Sequence, residues 1–198
     1  MLLFVTGASA SGKSEYAEQQ CLKLSEAPPE QPVPSAASLA EQAGERPQSG
    51  ERIYLATMIS QGEGSRERIL RHRRLREGKG FQTVECPLQI GSAPVLPDST
   101  VLLECLSNLL ANEMFSCPGE VSEKTAQKTA ERILQEVLEL HKRTAHLIVV
   151  SNQVFSEGMV YDSMTEAYRR ALGWLNAQLA QAADEAWEVV CGIPLRMR

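Results

Sequence analysis

The chain has 198 residues, of which 43% are hydrophobic and 23% charged, and its formal net charge is −5. That length suits one domain with a substantial core, and the acidic balance argues against a general nucleic-acid-binding protein. No apolar run approaches the roughly 20 residues of a membrane span. The five cysteines are scattered without a C-x-x-C pair, which favours reduced thiols over a disulfide framework or zinc site. These features predict a cytoplasmic protein with no membrane span and no nucleic-acid partner.

The chain opens with an apolar run, Leu2–Thr6, that leads directly into a phosphate-binding loop. Gly7, Gly12, Lys13 and Ser14 match the pattern G-x-x-x-x-G-K-[ST] at full spacing. The glycines allow backbone N–H groups to surround phosphate oxygens. Lys13 places a positive charge at the β- and γ-phosphates, and the hydroxyl of Ser14 is a ligand for Mg²⁺. The remaining loop residues of this predicted nucleotide site are Ala8, Ser9, Ala10 and Ser11.

The next segments predict a helix and then an insertion. A helix over Glu15–Leu24 would direct the positive end of its dipole toward the bound phosphates. Residues 25–52 hold five of the ten prolines and almost no large apolar side chain. The burial of so little apolar surface does not offset the conformational entropy that this segment would lose on becoming ordered. We therefore expect one domain over residues 1–198 with a mobile insertion at 25–52; a solvated loop is favoured there over a functional lid.

After the strand predicted at Ile53–Thr57 comes a basic run, Arg66–Arg76, which we call the arginine segment. It contains six arginines and His72, with Ser65 as the predicted helix N-cap. Three interpretations remain open on this evidence alone: a solvated helix face, a nucleic-acid patch, or a phosphate site. Arginine forms bidentate, charge-assisted bonds to phosphate oxygens. Positive surroundings would favour a neutral imidazole that is nucleophilic toward phosphorus.

Two glutamates end predicted strands further along the chain. Glu104 closes the run TVLLE, and a carboxylate at that end of a core strand is suited to hold Mg²⁺ or its water shell. The spacing is equally consistent with a solvent-exposed glutamate at the end of a strand that binds no metal. Glu85 stands similarly after the run FQTV, with weaker specificity.

The rest of the chain continues the alternation of strands and helices. Further strands are predicted at Phe81–Val84, Val101–Cys105, Leu147–Ser151 and Val189–Leu195, and helices at Lys124–Lys142 and Met164–Ala183. Alternating strands and helices indicate βαβ units. The expected fold is α/β: a P-loop NTPase-like (RecA-like) three-layer sandwich with a mostly parallel central sheet.

Taken in order, these motifs resemble the bifunctional adenosylcobinamide kinase / adenosylcobinamide-phosphate guanylyltransferase family of cobalamin synthesis. The similarity spans most of the chain apart from residues 25–52. After the phosphate-binding loop it is carried by Tyr54–Thr57, Arg68, Ile69, His72, Arg73, Arg76, Phe81, Thr83, Glu85, Leu102–Leu106 and Asn112. Near the C-terminus it is carried by Asn152, Arg169, Gly173, Asn176, Ala182–Glu185 and Gly192.

The resemblance implies a function and a site. It implies phosphorylation of adenosylcobinamide by a nucleoside triphosphate, followed by transfer of GMP from GTP through a guanylyl-histidine intermediate at His72. The implied substrates are ATP, GTP and a corrinoid, the implied cofactor is Mg²⁺ at Ser14 and Glu104, and the implied assembly is a homotrimer. The nucleotide-binding residues implied beyond the loop are Ala56, Thr57, Met58, Arg73, Arg74, Leu75, Arg76, Glu85 and Glu104.

Departures from the family pattern keep two alternatives open. Gln153 replaces a glutamate, Glu166 replaces an arginine, and the proline of the segment after Asn152 is absent. One alternative is a P-loop kinase for a small hydroxyl substrate that has lost guanylyl transfer. The other is a nucleotide-binding regulatory module without turnover.

Overall fold

The fold is described from a computed structural model that covers residues 1–26, 50–59, 69, 70, 72–74, 76–116, 122–154 and 161–198. Seven strands form one sheet: β1 (Leu2–Thr6), β2 (Arg52–Ala56), β3 (Phe81–Glu85), β4 (Thr100–Glu104), β5 (His146–Val150), β6 (Glu185–Val190) and β7 (Ile193–Arg196). The helices whose bounds lie within these ranges are α1 (Lys13–Glu26), α2 (Leu106–Phe115), α3 (Glu123–Lys142) and α4 (Ser163–Ala182), and they flank the sheet.

The strand order confirms the predicted fold class. It is β3-β2-β4-β5-β1-β6-β7, and every neighbouring pair is parallel except β6 with β7. β5 therefore lies between β1, which leads into the phosphate-binding loop, and β4, which ends in Glu104. This is the RecA-like arrangement, and it brings the carboxyl ends of β1, β5 and β4 to one edge of the sheet.

Helices cover both faces of the sheet, which explains why its central strands are apolar at nearly every position. Successive side chains of a strand point to opposite faces. In β1, Leu2 and Phe4 pack in the cluster formed with α2, α3 and α4, whereas Leu3 and Val5 pack on the α1 side with Ala17 and Cys21 of that helix. The three-layer sandwich follows from this division.

One predicted strand is wrong in its bounds. The apolar run Val189–Leu195 is not a single strand, because the chain turns at Cys191 and Gly192, where φ is 50° and 82°. β6 runs parallel to β1 before the turn, and β7 returns antiparallel to β6 after it. α2 was not predicted, although Leu106, Leu109 and Leu110 show helical spacing and are fully buried.

The other predicted strands and helices match the observed ones to within about two residues at each end. The helix predicted in the arginine segment is the exception, because its predicted N-cap, Ser65, lies outside the described ranges. α3 begins after Ser122, whose hydroxyl accepts a hydrogen bond from the Thr125 N–H while Thr125 bonds back to the Ser122 N–H. Of the predicted insertion at 25–52, the first two residues end α1 and Arg52 begins β2; residues 27–49 lie outside the described ranges. Among the described helices, none is long and apolar enough to cross a membrane.

Candidate functional site

A cleft of about 490 Å³ opens at the carboxyl edge of the sheet, above β1, β5 and β4. It brings together most of the residues predicted for the nucleotide site, and those lining it are Ser9–Ser14, Ala56, Met58, His72, Arg73, Arg76, Glu85 and Glu104. Four predicted residues do not line the cleft: Gly7, Ala8, Thr57 and Arg74. Leu75 lies outside the described residues.

The phosphate-binding loop forms the floor of one side. The Ser11 N–H donates to the Ala8 carbonyl at 3.2 Å, which closes a tight turn before α1 begins at Lys13. Ala10 has φ +60° and Gly12 has φ +92°, so the backbone passes twice through the left-handed region. Successive peptide N–H groups in such a turn make a concave anion-binding surface at the helix N-terminus.

Two neighbouring segments hold this loop in place. The Gly192 N–H donates to the Ser11 carbonyl at 2.8 Å, and the Gln153 N–H donates to the Gly7 carbonyl at 3.0 Å. A Cβ at Gly7 would lie 2.6 Å from the backbone oxygen of Val189 and from Ser11 Oγ. A side chain therefore does not fit at Gly7 unless the loop moves away from β6.

Lys13 is buried in the loop and carries the positive charge that the motif requires. Its Nζ donates to the Ala8 carbonyl at 3.0 Å. Burial lowers the pKa of this ammonium group, while the negative charge of Glu104 opposes the shift. The side chain is 7% exposed, and it already lies within the loop where the β- and γ-phosphates of a nucleotide would be bound.

Glu104 connects the phosphate-binding loop to the arginine segment. Its Oε1 accepts a hydrogen bond from the Ser14 hydroxyl and lies 3.8 Å from Nδ1 of His72. Its Oε2 is buried and makes no hydrogen bond within the described part of the chain. A hydroxyl and a carboxylate are oxygen ligands of the kind that Mg²⁺ prefers. Ser14 and Glu104 therefore fit the predicted metal site.

The helical residues of the arginine segment cover the cleft from the β2 side. The guanidinium of Arg76 stacks on the ring of Tyr54, 3.4 Å from its centroid, and both side chains are buried. Arg76 Nη1 is buried without a hydrogen-bond partner in the described ranges. Arg73 pairs with Glu85 at 3.0 Å across the mouth of the cleft. Arg76 thus brings a guanidinium with one unsatisfied donor to the lining of the cleft, a group suited to bind phosphate oxygens.

An ion pair between a buried carboxylate and a half-buried lysine anchors the turn that follows this segment. Glu18 of α1 is 1% exposed, and its Oε2 is 2.5 Å from Nζ of Lys79. Burial raises the pKa of Glu18, and the hydrogen bond and charge of Lys79 oppose that shift. Because α1 begins at the phosphate-binding loop, this pair fixes the His72-bearing segment relative to the loop. Arg52 strengthens the link by donating to the Lys79 carbonyl at 3.1 Å.

Thr57 lies beneath the cleft and joins the ends of β2 and β4. It is fully buried; its Oγ1 donates to the Cys105 carbonyl at 2.8 Å and accepts from the Cys105 N–H at 2.7 Å. Asn112 of α2 donates to the carbonyls of Thr57 and Pro87. The motif residues Thr57 and Asn112 therefore support the wall of the site in this structure.

Residues that line the cleft but were not predicted for the site include Tyr54, the stacking partner of Arg76, and Asn152. Glu18, the buried partner of Lys79, was not predicted either. A glutamate one turn after Ser14 on a predicted amphipathic helix gave a weak signal for Glu18. The position of Asn152 directly after a predicted core strand gave a better one, because strand ends of parallel sheets carry binding residues.

Comparison with known proteins identifies the family. A family model described as cobinamide kinase / cobinamide phosphate guanyltransferase matches residues 35–197 of the chain. The chain belongs to this family. The resemblance drawn from the sequence motifs is therefore confirmed, and with it the assignment to a family of transferases.

Two curated relatives of this family match over the full length of both chains, so the phosphate-binding loop is included. They are the bifunctional adenosylcobalamin biosynthesis proteins CobU of Salmonella typhimurium strain LT2 and of Escherichia coli strain K12, each 27% identical to this chain. Among solved structures, the flagellar accessory protein FlaH of Methanocaldococcus jannaschii is 12% identical; the match covers 94% of this chain and 70% of FlaH, with a TM-score of 0.37. The fold assignment rests on the strand order of the chain itself.

One departure from the family pattern has a local structural role. Glu166 on α4 pairs with Arg169 at 2.9 Å and with Arg170 at 3.3 Å. Arg169 also donates to the Val154 carbonyl at 3.1 Å, which fixes the chain just before residues 155–160, outside the described ranges. An acidic residue at 166 is thus accommodated by two adjacent arginines.

Proposed function

We propose that this chain phosphorylates adenosylcobinamide with a nucleoside triphosphate and then transfers GMP from GTP to adenosylcobinamide phosphate. A single domain over residues 1–198 would carry both steps in one cleft. The observation that carries the proposal is the position of Glu104, which contacts Ser14 of the phosphate-binding loop and lies 3.8 Å from His72. The kinase residues and the proposed nucleophile therefore face the same space.

In the kinase step the loop N–H groups and Lys13 bind the β- and γ-phosphates. The hydroxyl of the aminopropanol arm of the corrinoid attacks the γ-phosphorus, and the bond to the nucleoside diphosphate breaks. Catalysis of this kind depends on positioning and on stabilising charge. Ser14 and Glu104 would hold Mg²⁺, which neutralises phosphate charge when bound.

In the transferase step the imidazole of His72 attacks the α-phosphorus of GTP. An N–P bond forms, the P–O bond to pyrophosphate breaks, and pyrophosphate leaves. The phosphate oxygen of adenosylcobinamide phosphate then attacks the same phosphorus, which restores free His72 and gives adenosylcobinamide-GDP. Arg76 and Arg73 stabilise the phosphate charge, and Glu104 orients the imidazole.

The test is the covalent adduct. The protein is incubated with GTP labelled at the α-phosphate and Mg²⁺, and the label is mapped by mass spectrometry. We expect an acid-labile, base-stable phosphoramidate at His72 that is lost in His72→Ala, while phosphorylation of adenosylcobinamide persists with modest loss. The controls His141→Ala and His146→Ala keep the adduct, because these residues lie at the opposite, amino-terminal edge of the sheet.

Three results separate the alternatives. Label that persists in His72→Ala overturns the nucleophile. Phosphorylation without any adduct in the wild-type protein favours the kinase that has lost guanylyl transfer. Nucleotide binding with neither adduct nor turnover favours the regulatory module.

We also propose that the protein assembles as a homotrimer, as the resemblance implies. The support in the structure is the exposed apolar surface of the β6–β7 hairpin, where Val190, Ile193, Leu195 and Met197 are 42–64% exposed. Apolar surface of this kind at a sheet edge is typical of protein contacts. Sedimentation equilibrium measures the mass of the particle in solution. A wild-type protein with the mass of a monomer contradicts the proposed homotrimer.

A further inference from the structure

The wall of the cleft opposite the arginine segment has no role in the steps derived above. It is lined by Cys105, Asn108 and Asn152. Asn152 follows β5, and β5 lies between β1 and β4 in the sheet. The residue therefore lies between the phosphate-binding loop and Glu104 along the carboxyl edge of the sheet.

Asn152 is held by one polar contact of its side chain and one of its backbone. Its Nδ2 donates to Ser107 Oγ at 2.6 Å, and Ser107 is 3% exposed. Its backbone carbonyl accepts from Asn176 Nδ2 at 3.2 Å. Asn176 in turn accepts from the buried hydroxyl of Ser151 at 2.6 Å. These bonds set the orientation of the amide before any ligand enters.

The amide oxygen of Asn152 makes no hydrogen bond within the part of the chain that the structure describes. An amide fixed through its nitrogen presents its oxygen as an acceptor. The other polar residues lining the cleft include the serines of the phosphate-binding loop, the basic residues Lys13, His72, Arg73 and Arg76, the acidic residues Glu15, Glu85 and Glu104, and the neutral residues Tyr54 and Asn108. Asn152 is therefore a neutral acceptor placed beside the phosphate site, and a neutral acceptor does not repel a triphosphate.

We propose that Asn152 binds and orients the hydroxyl group that attacks the γ-phosphate, an inference that rests on the kinase activity proposed above. The β- and γ-phosphates are held by the loop and the start of α1, so an in-line attack requires the hydroxyl on the far side of the γ-phosphorus. The hydroxyl donates its hydrogen bond to Asn152 and directs a lone pair at phosphorus. The O–P bond forms, the bond to the nucleoside diphosphate breaks, and the hydroxyl proton is released to water.

Ser107 is a positioning residue in this scheme, because it acts only by holding the amide. The guanylylation of His72 by GTP alone involves no hydroxyl acceptor, so Asn152 has no part in it. The phosphorylation of adenosylcobinamide and the guanylylation of His72 therefore provide an internal control in one protein. A residue that merely stabilises the fold would affect both.

The experiment compares Asn152→Ala, Ser107→Ala and Asn112→Ala with the full-length wild-type chain. For each, kcat and KM for adenosylcobinamide phosphorylation, the rate of GTP-dependent labelling of His72, and the melting temperature are measured. In Asn152→Ala we expect kcat for phosphorylation to fall about 10- to 100-fold, the scale of a lost positioning contact, with labelling unchanged within about twofold. Ser107→Ala shows a smaller fall of the same kind. Asn112→Ala loses contacts to backbone carbonyls, so it lowers kcat for phosphorylation, the rate of His72 labelling and the melting temperature together.

If wild-type protein and Asn152→Ala phosphorylate adenosylcobinamide with the same kcat, the role of Asn152 is refuted, while the proposed function stands. A parallel loss of phosphorylation and labelling in Asn152→Ala overturns it in favour of a structural role. A wild-type protein that phosphorylates no cobinamide refutes the proposed function, and the role of Asn152 with it.

Discussion

Replacing Thr57 with valine tests whether this residue acts as a structural clamp. Valine keeps the shape but removes both bonds to Cys105, one to the carbonyl at 2.8 Å and one from the N–H at 2.7 Å. The carbonyl still accepts from Leu109 at 3.1 Å, so it stays satisfied. The Cys105 N–H loses its partner in a buried position next to Glu104.

The size of the effect follows from these two losses. An orphaned buried donor costs about 1–3 kcal/mol and a lost hydrogen bond about 1 kcal/mol, which gives about 2–4 kcal/mol in the free energy of unfolding. For a chain of this length that lowers the melting temperature by roughly 5–15 °C. Urea unfolding at constant m-value gives the free energy directly.

The control is Thr129→Val, a half-buried threonine on α3 whose hydroxyl donates to the Thr125 carbonyl. A surface change of this kind is expected to stay within about 0.5 kcal/mol. If Thr57→Val costs no more than this control while nucleotide affinity falls sharply, the clamp is refuted and Thr57 contacts the nucleotide directly.

Two further predictions concern the charges of the cleft. Lys13→Ala removes the cation at the β- and γ-phosphates, so phosphorylation is lost while the melting temperature is kept; an undiminished turnover number defeats the P-loop assignment. Glu18→Gln leaves Lys79 without its carboxylate and loosens the anchor of the arginine segment, so labelling of His72 by GTP slows about tenfold, or about 1.4 kcal/mol. Glu139→Gln, which breaks the exposed pair with Lys142, is the matched control, and an equal effect in both variants argues against a specific anchor.

The features that could be predicted are those formed by residues that are contiguous in the sequence. The phosphate-binding loop is one, because its backbone turn, lysine and serine occupy eight successive positions, 7–14. The core strands are another, since burial on both faces requires unbroken apolar runs. Glu104 was identified as a candidate because the end of such a strand is also visible in the sequence.

The parts that were missed depend on contacts between distant residues. Glu18 and Lys79 are separated by 61 positions and Asn152 and Ser107 by 45, and no periodicity in one sequence records either pairing. The turn at Cys191 was missed for a different reason. The apolar run continues through it, and the only local signals were Gly192 and Pro194, which mark turns.

The position of β1 has a consequence for how the protein acquires its nucleotide site. The Leu2 N–H donates to Asp184 Oδ2, 182 residues away in sequence, and β1 pairs with β5 on one side and β6 on the other. The loop that follows β1 is held by Gly192. Contacts of such long sequence separation form late and slowly. During synthesis β1 completes its pairing only after β6 has been translated, 182 residues further along the chain, so nucleotide affinity would report that the sheet has closed.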